Sequence, residues 1–211
     1  MGKSYFELIQ EQCEIKPEEM ARTFMEQRML MLHGRIHEEG ASALTDTLIK
    51  YDFKQQAPIL LLINSNGGDV VAADHIIQTI NMINSPVHAL VIGEAKSMAI
   101  DILLACKERK GVSRSRYFMH FTRTKFEIIC DEEATSEKSL RALKDKICIY
   151  KKLREGFYAD RLKKPIEEVQ RLFQMGERLK YEYTAEQAKE LGLITDIVTD
   201  FKFFPKKEVP T

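Results

Sequence analysis

The sequence has no tryptophan, six prolines, ten glycines and four cysteines in 211 residues. The cysteines (Cys13, Cys106, Cys130 and Cys148) are scattered, and none falls in a Cys-x-x-Cys pair. That spacing excludes a disulfide or zinc framework and suits reduced thiols in a cytoplasmic protein. Neither sign of charge is in excess, because Lys+Arg and Asp+Glu are both 32. A chain that coats DNA or RNA needs surplus basic side chains to neutralise phosphates, so the balance argues against nucleic-acid binding. It argues equally against an acidic disordered tail. No apolar run nears the roughly 18–20 residues of a membrane span. The longest, Ala57 to Ile63, has the length of a strand. The first residues carry Lys3, Glu7 and Glu11 and lack the apolar stretch of a secretory signal.

What remains is an ordinary globular composition, 44% hydrophobic and 30% charged, at the length of one domain with or without an appendage. Residues 1–27 read as an arm or helix and 201–211 as a tail. Met29 to His33 is a short apolar run closed by Gly34, which predicts a buried strand. Leu44, Leu48 and Tyr51 recur at helical spacing. Pro58 to Ile63 and Val87 to Ile92 are continuous apolar runs of the kind covered on both faces. Ala73, Ile76, Ile80 and Ile83 share one helical face between them. A second helix is expected from Met98 to about Lys107, then one or two short strands between Gly111 and His120. A long charged helix spans about 134–160, with Leu140, Leu143, Ile147, Tyr150, Leu153 and Phe157 as its apolar stripe. Two short helices (165–174 and 184–191) and a strand (194–198) close the chain. Strands alternating with helices imply βαβ units and a largely parallel sheet, an α/β fold.

Three places could carry chemistry. Asn64-Ser65-Asn66-Gly67-Gly68 follows a buried strand, and two glycines there let backbone N–H groups approach a ligand and stabilise a developing oxyanion. The plainer reading is a strand-to-helix turn. No Gly-Lys-Ser/Thr follows it, so it is not a P-loop, and it is not a dinucleotide fingerprint. Ser97, in Gly93-Glu94-Ala95-Lys96-Ser97-Met98, sits where a strand becomes a helix. It is either a helix cap or a nucleophile at a helix N-terminus, where the dipole favours negative charge. His120 ends the strand Arg116-Tyr117-Phe118-Met119-His120, as a structural histidine or as the base for a serine held opposite. No cofactor or metal-ligand pattern accompanies them.

Their order and spacing resemble the proteolytic subunit of the Clp protease. The resemblance runs from Leu62 to Gly68, Gly93 to Met98 and Arg116 to His120, then through Thr184 to Ala188 and Leu191 to Ile194. It covers about residues 28–198. It implies a crotonase-like, ClpP-like fold of stacked βαβ units (28–200) with a protruding handle helix (about 121–162). It also implies heptameric rings of identical subunits that pair to enclose a chamber, and an ATP-dependent AAA+ unfoldase as partner. The activity implied is hydrolysis of peptide bonds in unfolded proteins by a Ser-His-Asp triad. Carried over, Ser97 is the nucleophile, His120 the general base, and the N–H groups of Gly68 and Met98 the oxyanion hole.

Four departures from the family pattern stand out. Lys180 aligns with the triad aspartate, and a protonated lysine cannot accept the histidine's hydrogen bond. Glu182, on the same face if the segment is extended, and Glu177 are the substitutes. Asn66 replaces a proline, and asparagine tolerates unusual φ. Ala99, Ile100 and Asp101 replace small residues after Ser97-Met98. Asp101, one turn on, is either a carboxylate near the site or a polar or interface position. The family's Gly-rich strand after the histidine is replaced by Phe121 to Phe126 and the acidic run Asp131-Glu132-Glu133. Three alternatives stay open: a catalytically weak or silent ring subunit, an acyl-CoA hydratase or isomerase of the broader fold, and a Ser-Lys dyad using Lys96 or Lys180.

Overall fold

The apolar runs form the centre of a parallel sheet. A computed structural model describes residues 22, 24–121 and 137–199. In it β1 (Met29–Ile36), β2 (Ile59–Gly68) and β3 (Val87–Lys96) lie side by side, and β4 (Glu108–Val112) and β6 (Asp196–Val198) extend the sheet beyond β3. A short β5 (Arg116–Phe118) pairs with the far end of β3. Every pairing between these strands is parallel. Helices α1 (Glu38–Lys54), α2 (Val70–Met82) and α3 (Met98–Ala105) follow β1, β2 and β3 in turn, which is the expected βαβ alternation. Alternation along β2 sends Ile59, Leu61 and Ile63 into one core with Leu48, Ile76, Ile100 and Ile102. Leu62 enters a smaller cluster with Met29 and Leu90. Both faces of β2 are therefore apolar, which is why it reads as an unbroken hydrophobic run.

Several strands outlast their apolar runs. β1 continues through Gly34, whose φ of +70° coincides with a register shift before Arg35. β2 continues to Gly68 and β3 to Lys96, because ladder hydrogen bonds persist where side-chain hydrophobicity has stopped. Helix α3 stops at Ala105, short of Lys107.

The long helix α4 spans Glu137–Leu162 and corrects the expected stripe. Of its members Leu140, Ile147 and Leu153 are exposed and Leu143, Tyr150 and Phe157 half-buried, whereas Arg154, Glu155, Tyr158 and Leu162 are buried. Among the described residues, its buried side chains lie in the C-terminal third, so upstream periodicity does not report this core. The Phe121–Phe126 segment after its first residue, and the acidic run 131–133, lie outside the described residues. Among those described, no helix is long and apolar enough to cross a membrane.

Helix α5 (Ile166–Leu179) starts after Pro165 and buries Val169, Leu172, Phe173 and Gly176. It runs on past residue 174, where the expected helix ends, and so carries Glu177; Lys180 is its C-cap, in the left-handed region at φ 53°. Helix α6 (Ala185–Leu191) begins with a capping box between Thr184 and Gln187 and ends at Gly192, φ +84°. The Thr184-to-Ala188 motif thus has a local reason of its own.

Gly176 decides how closely α5 approaches β5. A methyl group at this position would overlap the carbonyl oxygen of Met119, so the helix can touch the strand end only with glycine there. Gly156, inside α4, has open space around it. Gly176→Ala is expected to destabilise the protein by about 1–3 kcal/mol by overpacking. Gly156→Ala is expected to stabilise it by about 0.5–1 kcal/mol through helix propensity. Denaturant titration of the two variants checks the contrast; equal effects would contradict it.

Candidate active site

Strand β3 changes neighbours along its length. Its first half pairs with β4, and its last residues, Glu94, Ala95 and Lys96, pair with Arg116, Tyr117 and Phe118 of β5. The Ser97 N–H continues this ladder by donating to the Phe118 carbonyl at 2.8 Å. Ser97 and His120 consequently leave adjacent parallel strands at the same end. The ring of His120 stacks on Phe118, two residues back, with 5.3 Å between centroids.

Ser97 is not a conventional cap. Its side chain makes no capping bond, and its backbone sits at φ 53°, ψ −123°. Those angles match the first central position of a type II′ turn, normally a glycine. A serine held there is strained by about 1–3 kcal/mol. The strain lets a strand turn directly into α3, with Ser97 at the turn and the Met98 N–H first among the donors that a helix start leaves without an intrahelical acceptor.

The Gly67-Gly68 turn lies against this apex. At Gly67 (φ +82°), a Cβ would come within 2.7 Å of the Ser97 Cβ and 3.0 Å of the Met98 nitrogen. Positive φ in this turn falls on Gly67, so the tolerance of Asn66 for unusual φ is not called on. Gly68 lies beside Ile36 of β1, where a Cβ would overlap the Ile36 carbonyl oxygen. Ser65, fully buried, fixes the turn by accepting from the Gly67 N–H at 3.1 Å and donating to the Gly34 carbonyl at 2.6 Å. Asp69 then caps α2 by accepting from the Ala72 N–H at 2.8 Å.

The carboxylate beside His120 belongs to Glu177. Its Oε2 lies 3.7 Å from Nδ1 of His120, an ion-pair distance longer than an ordinary hydrogen bond. The Gly176 contact brings it there. Glu182 has a different partner: the Lys96 ammonium lies 2.7 Å from it and 2.8 Å from Glu94. Glu182 is delivered to Lys96 by the antiparallel bridge between Tyr117 and Tyr183, whose two hydrogen bonds measure 3.0 and 2.7 Å. Burial works to lower the Lys96 pKa, but the hydrogen-bonded Glu182 and Glu94 outweigh it and hold the ammonium above the ordinary lysine value. Both carboxylates thus favour the charged form of Lys96. Lys180 is exposed at the end of α5.

Asp101 is buried, and both its oxygens are engaged. Arg154 donates to them from Nε and Nη2 at 2.7 Å each, and the Tyr158 hydroxyl donates at 2.7 Å. Its carboxylate is committed to Arg154. The third nitrogen of Arg154, Nη1, donates to the His120 carbonyl at 2.8 Å. Arg154, Tyr158 and Gly176 were not visible as site residues in the sequence. The available signals were a glycine inside a helical pattern and an Arg/Tyr pair four residues apart, both common on ordinary helices.

A model of the Clp protease family matches residues 12–201. The chain belongs to the Clp protease family. Its similarity extends to ATP-dependent Clp protease proteolytic subunit 2 of Treponema pallidum (strain Nichols), 25% identical over 187 residues that cover 87% of this chain and 88% of that one. The ATP-dependent Clp protease proteolytic subunit of Carsonella ruddii (strain PV) is 36% identical over 98 residues, 46% of this chain and 50% of that one. The parallel sheet with its interleaved helices is the ClpP-like α/β architecture that the motifs implied.

The strain at Ser97 has a direct test. Ser97→Gly is expected to be more stable than Ser97→Ala by about 1–2 kcal/mol, because only glycine occupies these angles freely. Chemical denaturation of both variants reads the difference; an alanine variant as stable as the glycine variant would contradict the strain.

Proposed function

We propose that this chain is a serine endopeptidase in which Ser97 is the nucleophile, His120 the general base and Glu177 the carboxylate that orients it. The observation that carries this reading is the Glu177 carboxylate beside Nδ1 of His120, on a strand end adjacent to Ser97. As Ser97 Oγ attacks the scissile carbonyl carbon, Nε2 of His120 takes its proton. Glu177 holds the tautomer and stabilises the imidazolium. The N–H groups of Met98 and Gly68 bind the oxygen of the tetrahedral intermediate, a contribution of about 10²–10³ per donor in other serine hydrolases. His120 then protonates the leaving amine, and water hydrolyses the acyl-enzyme by the same route. A long catalytic contact in an unliganded site commonly tightens when substrate binds.

Family membership supports a wider reading. The substrate is an unfolded polypeptide, cut in the chamber of paired heptameric rings formed by residues 28–200, in the cytoplasm. The relatives' names are ATP-dependent, and this chain carries no ATP-site motif, so the energy comes from a partner unfoldase. The arm, 1–27, and the tail, 201–211, would flank that unit. A Ser-Lys dyad is disfavoured by the doubly paired Lys96, and an acyl-CoA enzyme has no need of the strained serine.

A fluorophosphonate probe tests the reading. The assembled protein is expected to be labelled on Ser97, as located by peptide mass spectrometry. Glu177→Gln is expected to slow labelling by about 10²–10⁴-fold, since loss of the triad acid costs about 10⁴ in a well-studied enzyme. Lys180→Asp is expected to change it only a few-fold. An unlabelled Ser97 in folded, assembled protein would instead establish a silent ring subunit, and recovery in Lys180→Asp would return the acid's place to residue 180.

A further inference from the structure

We propose that Arg154 is a positioning residue for catalysis: anchored by Asp101, its guanidinium holds the backbone of His120 and thereby sets the imidazole between Ser97 and Glu177. This rests on the serine-peptidase reading above. Two of the three guanidinium nitrogens are fixed on the two oxygens of Asp101. A planar fork bound at two points has its third N–H direction fixed as well, and that nitrogen meets the His120 carbonyl at 2.8 Å. The plane is itself confined, with the ring of Phe173 4.8 Å from its carbon and that of Tyr158 at 5.2 Å. Arg154 is 7% exposed, Asp101 3% and Tyr158 0%. Water therefore does not compete for these bonds.

The placement is what makes the pair more than a core contact. Asp101 stands one turn along α3 from Ser97, and His120 lies two residues beyond the end of β5. The chain of contacts runs from Ser97 through α3 to Asp101, across to Arg154 on α4, and back to His120, whose strand is bonded to Ser97. Nucleophile and base are thus joined twice, once by the β3–β5 ladder and once by the guanidinium. A buried ion pair is often replaceable by apolar side chains without loss of stability. An apolar pair would fill the same space, but it could not hold a carbonyl oxygen.

The decisive variant is the double substitution Asp101→Leu/Arg154→Met, which removes both charges together and leaves neither unpaired. Arg154→Lys accompanies it: the charge opposite Asp101 is kept, but a single ammonium lacks the fork that spans Asp101 and the His120 carbonyl. Thermal melting and assembly are recorded first. Both variants are then compared with the unmodified protein for fluorophosphonate labelling rate, for kcat and KM on a fluorogenic peptide, and by crystallography for the position of His120. Labelling and kcat are expected to fall by about 10²-fold, the cost of misplacing a catalytic group by about 1 Å. KM is expected to stay unchanged, with Nδ1 of His120 displaced from Glu177. A folded variant of either kind that reacts at the unmodified rate, with His120 in place, would overturn the proposal. Should the double variant fail to fold, Arg154→Lys decides alone. Should the unmodified protein fail to label, the peptidase reading falls, and the crystallographic position of His120 still decides whether Arg154 sets it.

Discussion

The pairing of β3 with β5 is the constraint on which the rest depends. Strand β3 is longer than β4, and its last three residues take a different neighbour. That exchange puts the end of β5 beside the start of α3. The Ser97 N–H completes the pairing, so the sharp turn at Ser97 and the exit of His120 are fixed by the same hydrogen-bond ladder. Shifting β5 by one residue would turn Phe118 and His120 to the opposite face.

Around that pairing the forces oppose one another in an ordered way. The backbone at Ser97 is strained by about 1–3 kcal/mol. It persists because α3 is buried throughout and the Gly67-Gly68 turn leaves no room for the chain to relax. On the other side, α5 comes within reach of His120 only because Gly176 lacks a side chain. The buried Asp101–Arg154 pair offers little net stability, since desolvation offsets most of its attraction. Its contribution is directional: it ties α3, α4 and the His120 backbone at one point.

The parallel sheet, the helices that follow its strands and the strand-end positions of Ser97 and His120 were legible in the sequence, because apolar periodicity and glycine placement are local signals. Glu177 was legible only as one of two carboxylates. What separates the two carboxylates in space is long-range: Glu177, inside α5, lies beside His120, whereas Glu182 pairs with Lys96 next to the Tyr117–Tyr183 bridge. Half of the apolar stripe on α4 (Leu140, Ile147 and Leu153) is exposed, because helical periodicity reports an apolar face without saying what covers it. Arg154 gave no signal, since its partners stand at sequence separations of 53 and 34 residues. Lys180, which aligns with the family's triad acid, is an exposed helix cap, a placement that the aligned motifs do not reveal.

The most direct test of the account is a crystal structure of the assembled protein after reaction with diisopropyl fluorophosphate. The expected result is a phosphoryl group on Ser97 Oγ, with one of its oxygens accepting from the N–H groups of Met98 and Gly68, and Glu177 closed to hydrogen-bond distance from Nδ1 of His120. An unmodified Ser97, or an adduct in which Nδ1 faces some group other than Glu177, would contradict it.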